Sequence, residues 1–273
     1  MSKFVMPNLQ KEKIESYANK GKRLDGRKVD EFRDIKVKFD VSKNSASAVE
    51  VTYGKTKVFA GVHLALATPY PDSPDQGTFM TSAELHPMAS QQFDTGRPGI
   101  NSVELARVID RGIRESGFID MKALCIKEGE KVYQVFVDIF AVNDDGNLMD
   151  VAGLAALIAL GRARMPIANE DNSKIVGYSE TEGIPLNKDV LSFSMTFHKI
   201  GDSIVADVSK EEEAVSKFRL TIAMGDNEGK ARITAMQKGL AGTISSKDME
   251  TILSLAESKW AEMFPKIRED VFG

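Results

Sequence analysis

The sequence predicts an α+β fold built from two similar halves, in one compact, two-lobed domain. Three observations carry that prediction. Apolar residues alternate with period two between positions 33 and 85, the period changes to helical spacing at 101–116 and after 148, and strands followed by a helix return between 191 and the C-terminus. The length of 273 residues lies between one large domain and two small ones, and the 42% apolar content is ample for a buried core. No Pro- or Ser-rich linker divides the halves.

Residues 1–20 read as an N-terminal arm. KEKIESYANKGKR forms a short helix rich in both signs of charge, expected to be solvated, and residues 1–38 carry a local excess of five positive charges. The domain proper is predicted over 21–273, with lobes at roughly 21–165 and 185–273.

IKVKFD and AVEVTY alternate as strands, and Gly54-Lys55 closes a tight hairpin into TKVFAGVHLAL. TPYPDSPDQG is turn-forming, and TFMTSAEL is a further short strand. Val108, Ile109 and Ile113 recur at helical spacing within 101–116, with Pro98-Gly99 before and Gly117 after. KVYQVFVDIFAV (131–142) is a long strand closed by the turn NDDGN. LMDVAGLAALIALGRARMP is apolar almost all round, which predicts a buried helix ended by Pro166. The stretch 169–183 is polar and reads as an exposed loop. LSFSMTFHKI, SIVADV, FRLTIAM and RITAMQ are strands, and a last helix opens near Ser245 or Ser246, with Asp248 and Glu250 in its first turn.

Composition excludes several function classes. A net charge of −4 argues against a polybasic protein and leaves room only for local basic patches. One cysteine, Cys125, rules out an internal disulfide framework and a multi-cysteine zinc site; it reads as a small core hydrophobe. The segment MSKFVMPNLQ lacks the apolar core of a signal peptide, and VAGLAALIAL is about half a bilayer span. A cytoplasmic protein without membrane contact is expected.

Gly54-Lys55-Thr56 has the tail of a phosphate-binding loop but lacks the earlier glycine and sits in a hairpin. His63, His86 and His198 are far apart, with no nucleophile or metal-ligand spacing; His63 and His198 read as structural histidines. No cofactor or metal is predicted. Arg107, Arg111 and Arg114 lie at i, i+4 and i+7 on one helix face, an arrangement that suits successive phosphates. Spacing alone slightly favours intrahelical pairing, since Glu104 precedes Arg107 by three residues and Glu115 follows Arg111 by four.

RLDGR (23–27), VEVTYGKTKVFAGV (49–62), the helix ELARVIDR and VDIFAVNDDGNLMDVAGLAALIAL (137–160) together resemble the RNase PH family. The match runs in order from about residue 20 to the final helix. It implies the family's duplicated βαβα fold (the ribosomal-protein-S5-domain-2-like fold) and a place in a six-domain ring of phosphate-dependent 3′→5′ exoribonucleases. Catalytic members carry Gly-Ser/Thr-Arg at the phosphate site, where this chain has Gly146-Asn147-Leu148. They carry an acid and a proline in a D-x-P-x-A strand, where this chain has Arg219 and Thr221. They have adjacent arginines before the 101–116 helix, where GRPGIN leaves Arg97 without a partner.

These departures make the chain similar to the non-catalytic RNase PH-like ring subunit of the archaeal exosome. The resemblance implies a catalytic RNase PH-like paralogue as partner, in alternating heterodimers, three per ring, with RNA-binding cap subunits. It also implies that Arg107 and Arg111 hold single-stranded RNA, with Arg114 balanced between RNA contact and pairing. Two alternatives stand beside it. One is an active exoribonuclease using Asp144, Asp145, Asp150, Asp202 or Asp207 as acids; the other is a purely architectural ring subunit.

Overall fold

The computed structural model describes residues 6–169, 174–227 and 229–273. Helix α1 (Asn8–Asn19) precedes strands β1 (Ile35–Lys38), β2 (Ser47–Tyr53), β3 (Thr56–Ala67) and β4 (Thr78–Leu85). Helix α2 (Ile100–Ser116), β5 (Cys125–Lys127), β6 (Lys131–Asn143) and α3 (Leu148–Arg162) complete the first lobe. A ribbon of β7 (Arg164–Ala168) and β8 (Ile175–Gly183) leads to β9 (Ser192–Ile200), β10 (Ser203–Ala206), α4 (Lys210–Val215), β11 (Arg219–Asn227), β12 (Lys230–Gly239) and α5 (Ser246–Phe272).

The first sheet runs β1-β2-β3-β6-β4, with β5 also on β6; β4 lies parallel to β6 and the other pairs are antiparallel. The second sheet is the antiparallel set β10-β9-β11-β12. Helices α2 and α3 touch both sheets, and α5 packs on the second sheet and on α3. The all-round apolar character of α3 is explained by that position: every residue from Met149 to Leu160 is buried. Alternation on β9 turns Thr196 toward α3, where it bonds Asp150, and sends Met195 and Phe197 into core on the opposite face. No helix among the described residues is long and apolar enough to cross a membrane.

Four readings are corrected. Helix α1 is not a solvated arm: Ile14 and Ala18 are 3% exposed and pack with Met6 against Ile200, Val205, Val208 and Val215. Its Ala18 carbonyl accepts from the Ser203 hydroxyl at 2.8 Å, and Asn19 Oδ1 accepts from the Asp202 N–H at 2.8 Å. The two apolar positions four apart are masked by eight polar neighbours, so the helix reads as solvated when taken alone. Helix α3 ends at Arg162 rather than at Pro166, which sits in β7 and pairs with Tyr178. The polar 169–183 stretch is not a loop throughout, since 175–183 forms β8; 170–173 lie outside the described residues. Cys125 is only half-buried, in the short strand β5.

The lobes are joined by ion pairs as well as by apolar contact. Segment 23–33 threads between them. Arg33 Nε and Nη2 donate to the two Asp207 oxygens at 2.9 and 2.8 Å, while its Nη1 and Nη2 donate to the carbonyls of Asp145 and Gly146 at 2.9 and 3.1 Å. Arg27 Nη1 reaches Asp207 at 2.9 Å, and Arg23 bonds Glu212 and the carbonyls of Ala206 and Asp207. Burial alone would raise the Asp207 carboxyl, but the hydrogen bonds and charge of Arg33 hold it below the usual range.

Replacing Asp207 by Asn removes the carboxylate that Arg33 and Arg27 both grip and leaves Arg33 only the longer pair to Asp145 at 3.7 Å. Breaking a buried pair from one side costs about 3–5 kcal/mol. Asp207→Asn is therefore expected to unfold at clearly lower urea than the wild type; an unchanged midpoint would contradict this role.

Candidate functional site

Two adjacent regions hold the residues singled out by the sequence. The first is the turn before α3. Gly146 has φ +88, and a Cβ there would lie 2.6 Å from both the Lys210 nitrogen and the Val208 carbonyl oxygen, so only glycine lets this turn press against the start of α4. The next residue, Asn147, caps α3 in the left-handed conformation at φ 57. Its Nδ2 donates to Asp150 at 3.0 Å and to Asp207 at 2.8 Å, tying the turn to the inter-lobe network.

The backbone N–H of Asn147 donates to the Glu213 carboxylate at 2.8 Å. A helix N-terminus favours an anion there, and the chain supplies its own. Burial, reinforced by the charge of Asp144, pushes the Glu213 carboxyl up. Lys210 pairs with Asp144 across the same pocket, a space of about 170 Å³ also lined by Thr196, His198 and Arg219.

Arg219, on β11, forms an ion pair with Glu104 of α2. A cation therefore stands in this pocket at the place where the resemblance implies an acid in catalytic members. His198 is 3% exposed; its Nδ1 lies 3.0 Å from the Ser216 hydroxyl, which itself donates to the Phe218 carbonyl, so Nδ1 carries the proton. Burial and the nearby charges of Arg219 and Arg23 push this histidine down to about 3, and it is neutral at pH 7. Burial pushes Asp150 up to about 7, against the hydrogen bonds it accepts from Thr196 and Asn147.

The acids weighed for catalysis are dispersed or committed. Asp207 is saturated by Arg27, Arg33 and Asn147, Asp150 by Thr196 and Asn147, and Asp144 by Lys210. Asp145 faces Arg33 at 3.7 Å, and Asp202 lies at the turn that meets α1. Among the described residues, no group of three or more His, Cys, Asp or Glu side chains is arranged to hold a metal ion.

The second region is α2. Its apolar side buries Leu105, Ala106, Ile109 and Ile113, leaving the arginine face toward solvent. Glu104 is taken by Arg219 instead of Arg107. Arg114 Nη2 donates to Asp110 at 3.0 Å and to the Phe79 carbonyl at 2.8 Å, and its guanidinium lies 5.5 Å from the Phe79 ring centre. Arg107 and Arg111 are exposed, and neither pairs with an acid among the described residues. Both line a groove of about 340 Å³ between α2 and strands β11 and β12. Arg97 lines a neighbouring cleft before α2 with Phe93 and Asn101. His63, far from both regions on the first sheet, stacks on Phe136 at 4.5 Å and faces Asp138 at 3.2 Å.

Glu213 and Lys210 were not picked out by linear reasoning. Ser209 and Glu212 stand at the S-x-x-E spacing of a capping box, a signal that could have located α4. The bond from Asn147 to Glu213 spans 66 positions and has no sequence signature.

One mixed and one antiparallel sheet around a shared helical layer, with a turn-capped buried helix at their junction, define the class of the protein. Residues 31–166 match domain 1 and residues 191–259 match domain 2 of the 3′ exoribonuclease family, RNase PH. The chain belongs to that family. It is 41% identical over 259 residues to a protein of Methanocella arvoryzae named exosome complex component Rrp42, covering 95% of each chain. The Methanosarcina acetivorans protein of the same name is 40% identical, with 95% of this chain and 93% of the relative covered. A solved structure described as the Archaeoglobus fulgidus exosome with RNA bound to the active site superposes with a TM-score of 0.84 at 37% identity, covering 94% of this chain and 98% of the other.

The neutral, buried His198 sets a pH dependence. Its folded-state value lies below that of the unfolded chain, so below about pH 6.5 the unfolded state takes up a proton that the folded state refuses, and stability falls as pH drops. At pH 5 that loss amounts to about 2 kcal/mol. His198→Gln is expected to lose less stability than the wild type between pH 7 and pH 5 in urea titrations; equal losses would contradict the assignment.

Proposed function

We propose that this chain is a non-catalytic subunit of an exosome ring that degrades RNA from its 3′ end with phosphate as co-substrate. In this reading it alternates with a catalytic RNase PH-like paralogue, three heterodimers to a ring, in the cytoplasm. RNA-binding cap subunits complete the assembly. Arg107 and Arg111 hold single-stranded RNA beside the active site of the paralogue, and Arg114 joins them only by leaving Asp110 and Phe79.

The observation that carries the reading is the contrast between the two regions. The pocket at α3 has its acids committed, its helix end occupied by Glu213 and a cation at Arg219, whereas Arg107 and Arg111 of α2 beside it pair with no acid among the described residues. Free guanidiniums on a rigid helix suit phosphate oxygens, because the planar fork matches them bidentately. The net charge of −4 makes free-standing, non-specific RNA binding weak, so the contribution is local and depends on the assembled ring. The names of the relatives support the same placement.

Each phosphate neutralised on single-stranded RNA contributes a slope of roughly −0.7 in log K against log salt. Arg107→Ala and Arg111→Ala are each expected to weaken RNA binding and processing by the assembled ring, to lower that slope by about 0.7, and to leave assembly intact by size-exclusion chromatography. Wild-type rates in both variants at every salt concentration would remove the RNA-holding role and leave an architectural one.

A further inference from the structure

We propose that the groove between α2 and β12 is a nucleobase subsite: it takes one base of a single-stranded RNA whose phosphates lie on Arg107 and Arg111. The proposal rests on the RNA-holding reading above and adds to it a second, uncharged component of recognition.

The groove exists because the sheet beneath α2 carries small side chains. Ala223 pairs with Ala235, Thr221 with Gln237, and Ser194 with Ala223, so these residues share one face and leave space under the helix. Val103 and Val108 form the helical wall, and Met236 stands at the opposite rim, 42% exposed. The two valines on one side and Ala223 and Ala235 on the other give apolar walls that suit a flat ring. At about 340 Å³ the space is at the small end of ligand clefts, enough for one nucleoside and too small for a protein helix roughly 10 Å across.

Polar groups stand at the floor. Ser194 and Gln237 both line the groove, and Gln237 Nε2 is turned to the Lys238 carbonyl at 3.3 Å, leaving Oε1 as an acceptor. An amide and a hydroxyl complement a base edge, whichever base presents it.

Charge complementarity selects RNA as the occupant. Strand β12 carries Lys230, Arg232 and Lys238 and no acidic residue. On α2, Glu104 pairs with Arg219 and Asp110 with Arg114, and Glu115 forms no ion pair with Arg111 among the described residues, so Arg107 and Arg111 stand at the groove's edge without an acidic partner. Residues one helical turn apart stand about 5–6 Å from each other, a spacing on the scale of successive phosphates along a single strand. An apolar slot lined by cations suits a molecule that is apolar in its rings and anionic in its backbone.

The test compares a short oligoadenylate with the abasic ribose-phosphate oligomer of equal length, binding each to the full chain assembled with its ring partner. Wild type is expected to bind oligoadenylate about tenfold more tightly than the abasic strand. Ala235→Leu fills the groove without altering a charge and is expected to abolish that preference. Gln237→Ala and Met236→Ala, milder changes on an edge strand, are expected to reduce it several-fold while retaining the wild-type salt slope. Arg111→Ala weakens both strands alike and lowers the slope. Equal wild-type affinity for the two strands, with the arginine variants still impaired, would overturn the subsite and leave the RNA-holding reading standing. Indifference of both strands to the arginine variants would overturn both. If Ala235→Leu disrupts the ring while base preference persists in Gln237→Ala and Met236→Ala, the groove is a protein interface and the subsite is overturned.

Discussion

The interaction on which the rest of the structure depends is the pairing of Arg33 with Asp207. One guanidinium from the segment before β1 grips a carboxylate of the second lobe, and the same group bonds the Asp145 and Gly146 carbonyls of the first. Asp207 in turn orients Asn147, whose backbone caps α3 and meets Glu213. The turn at 144–147 is thus held from three directions at once. Buried charges are tolerated here because each has an oppositely charged partner, and Arg23 and Arg33 turn further donors to backbone carbonyls.

That arrangement divides the electrostatics of the molecule. Acids at the lobe junction are matched internally, and the positive end of α3 is quenched by a carboxylate of the same chain. A phosphate entering there would meet Glu213 and Asp144. On α2, pairing runs the other way. Arg219 and Arg114 engage Glu104 and Asp110, two of the helix's three acids, so an acidic chain exposes Arg107 and Arg111. In the pocket before α3 the charges are matched within the chain, whereas Arg107 and Arg111 beside it pair with no acid among the described residues. The cation at Arg219 serves both ends, occupying the acidic place in one region and releasing Arg107 from Glu104 in the other.

The strands of both lobes other than β5 and the helices α2, α3 and α5 were legible because period and burial agree: α3 is apolar on every side and is surrounded, and Ser245 caps α5 where the sequence placed its start. Helix α1 was misread as solvated because Ile14 and Ala18 are too few to mark a buried stripe; their burial depends on Val205, Val208 and Val215, nearly two hundred positions away. Strand β8 was hidden for a related reason, since a ribbon strand that sets only Ile175 and Tyr178 against the core leaves little apolar alternation. Arg107, Arg111 and Arg114 were found by spacing, but spacing proposed Glu104 and Glu115 as partners. The tertiary fold instead gave Glu104 to Arg219 and Asp110 to Arg114, a distinction that no helix-local rule contains. Glu213 was invisible because its meaning lies wholly in a contact between lobes.

The central claim is that this chain holds RNA without performing the chemistry. The most direct test incubates the purified chain, verified as folded by circular dichroism, with single-stranded RNA, phosphate and magnesium, and follows nucleoside diphosphate release before and after addition of a catalytic RNase PH-like partner. The account predicts no release from the chain alone and release once the partner is present. Robust release by the folded chain alone would contradict it and place an acid in the pocket that the present assignment closes.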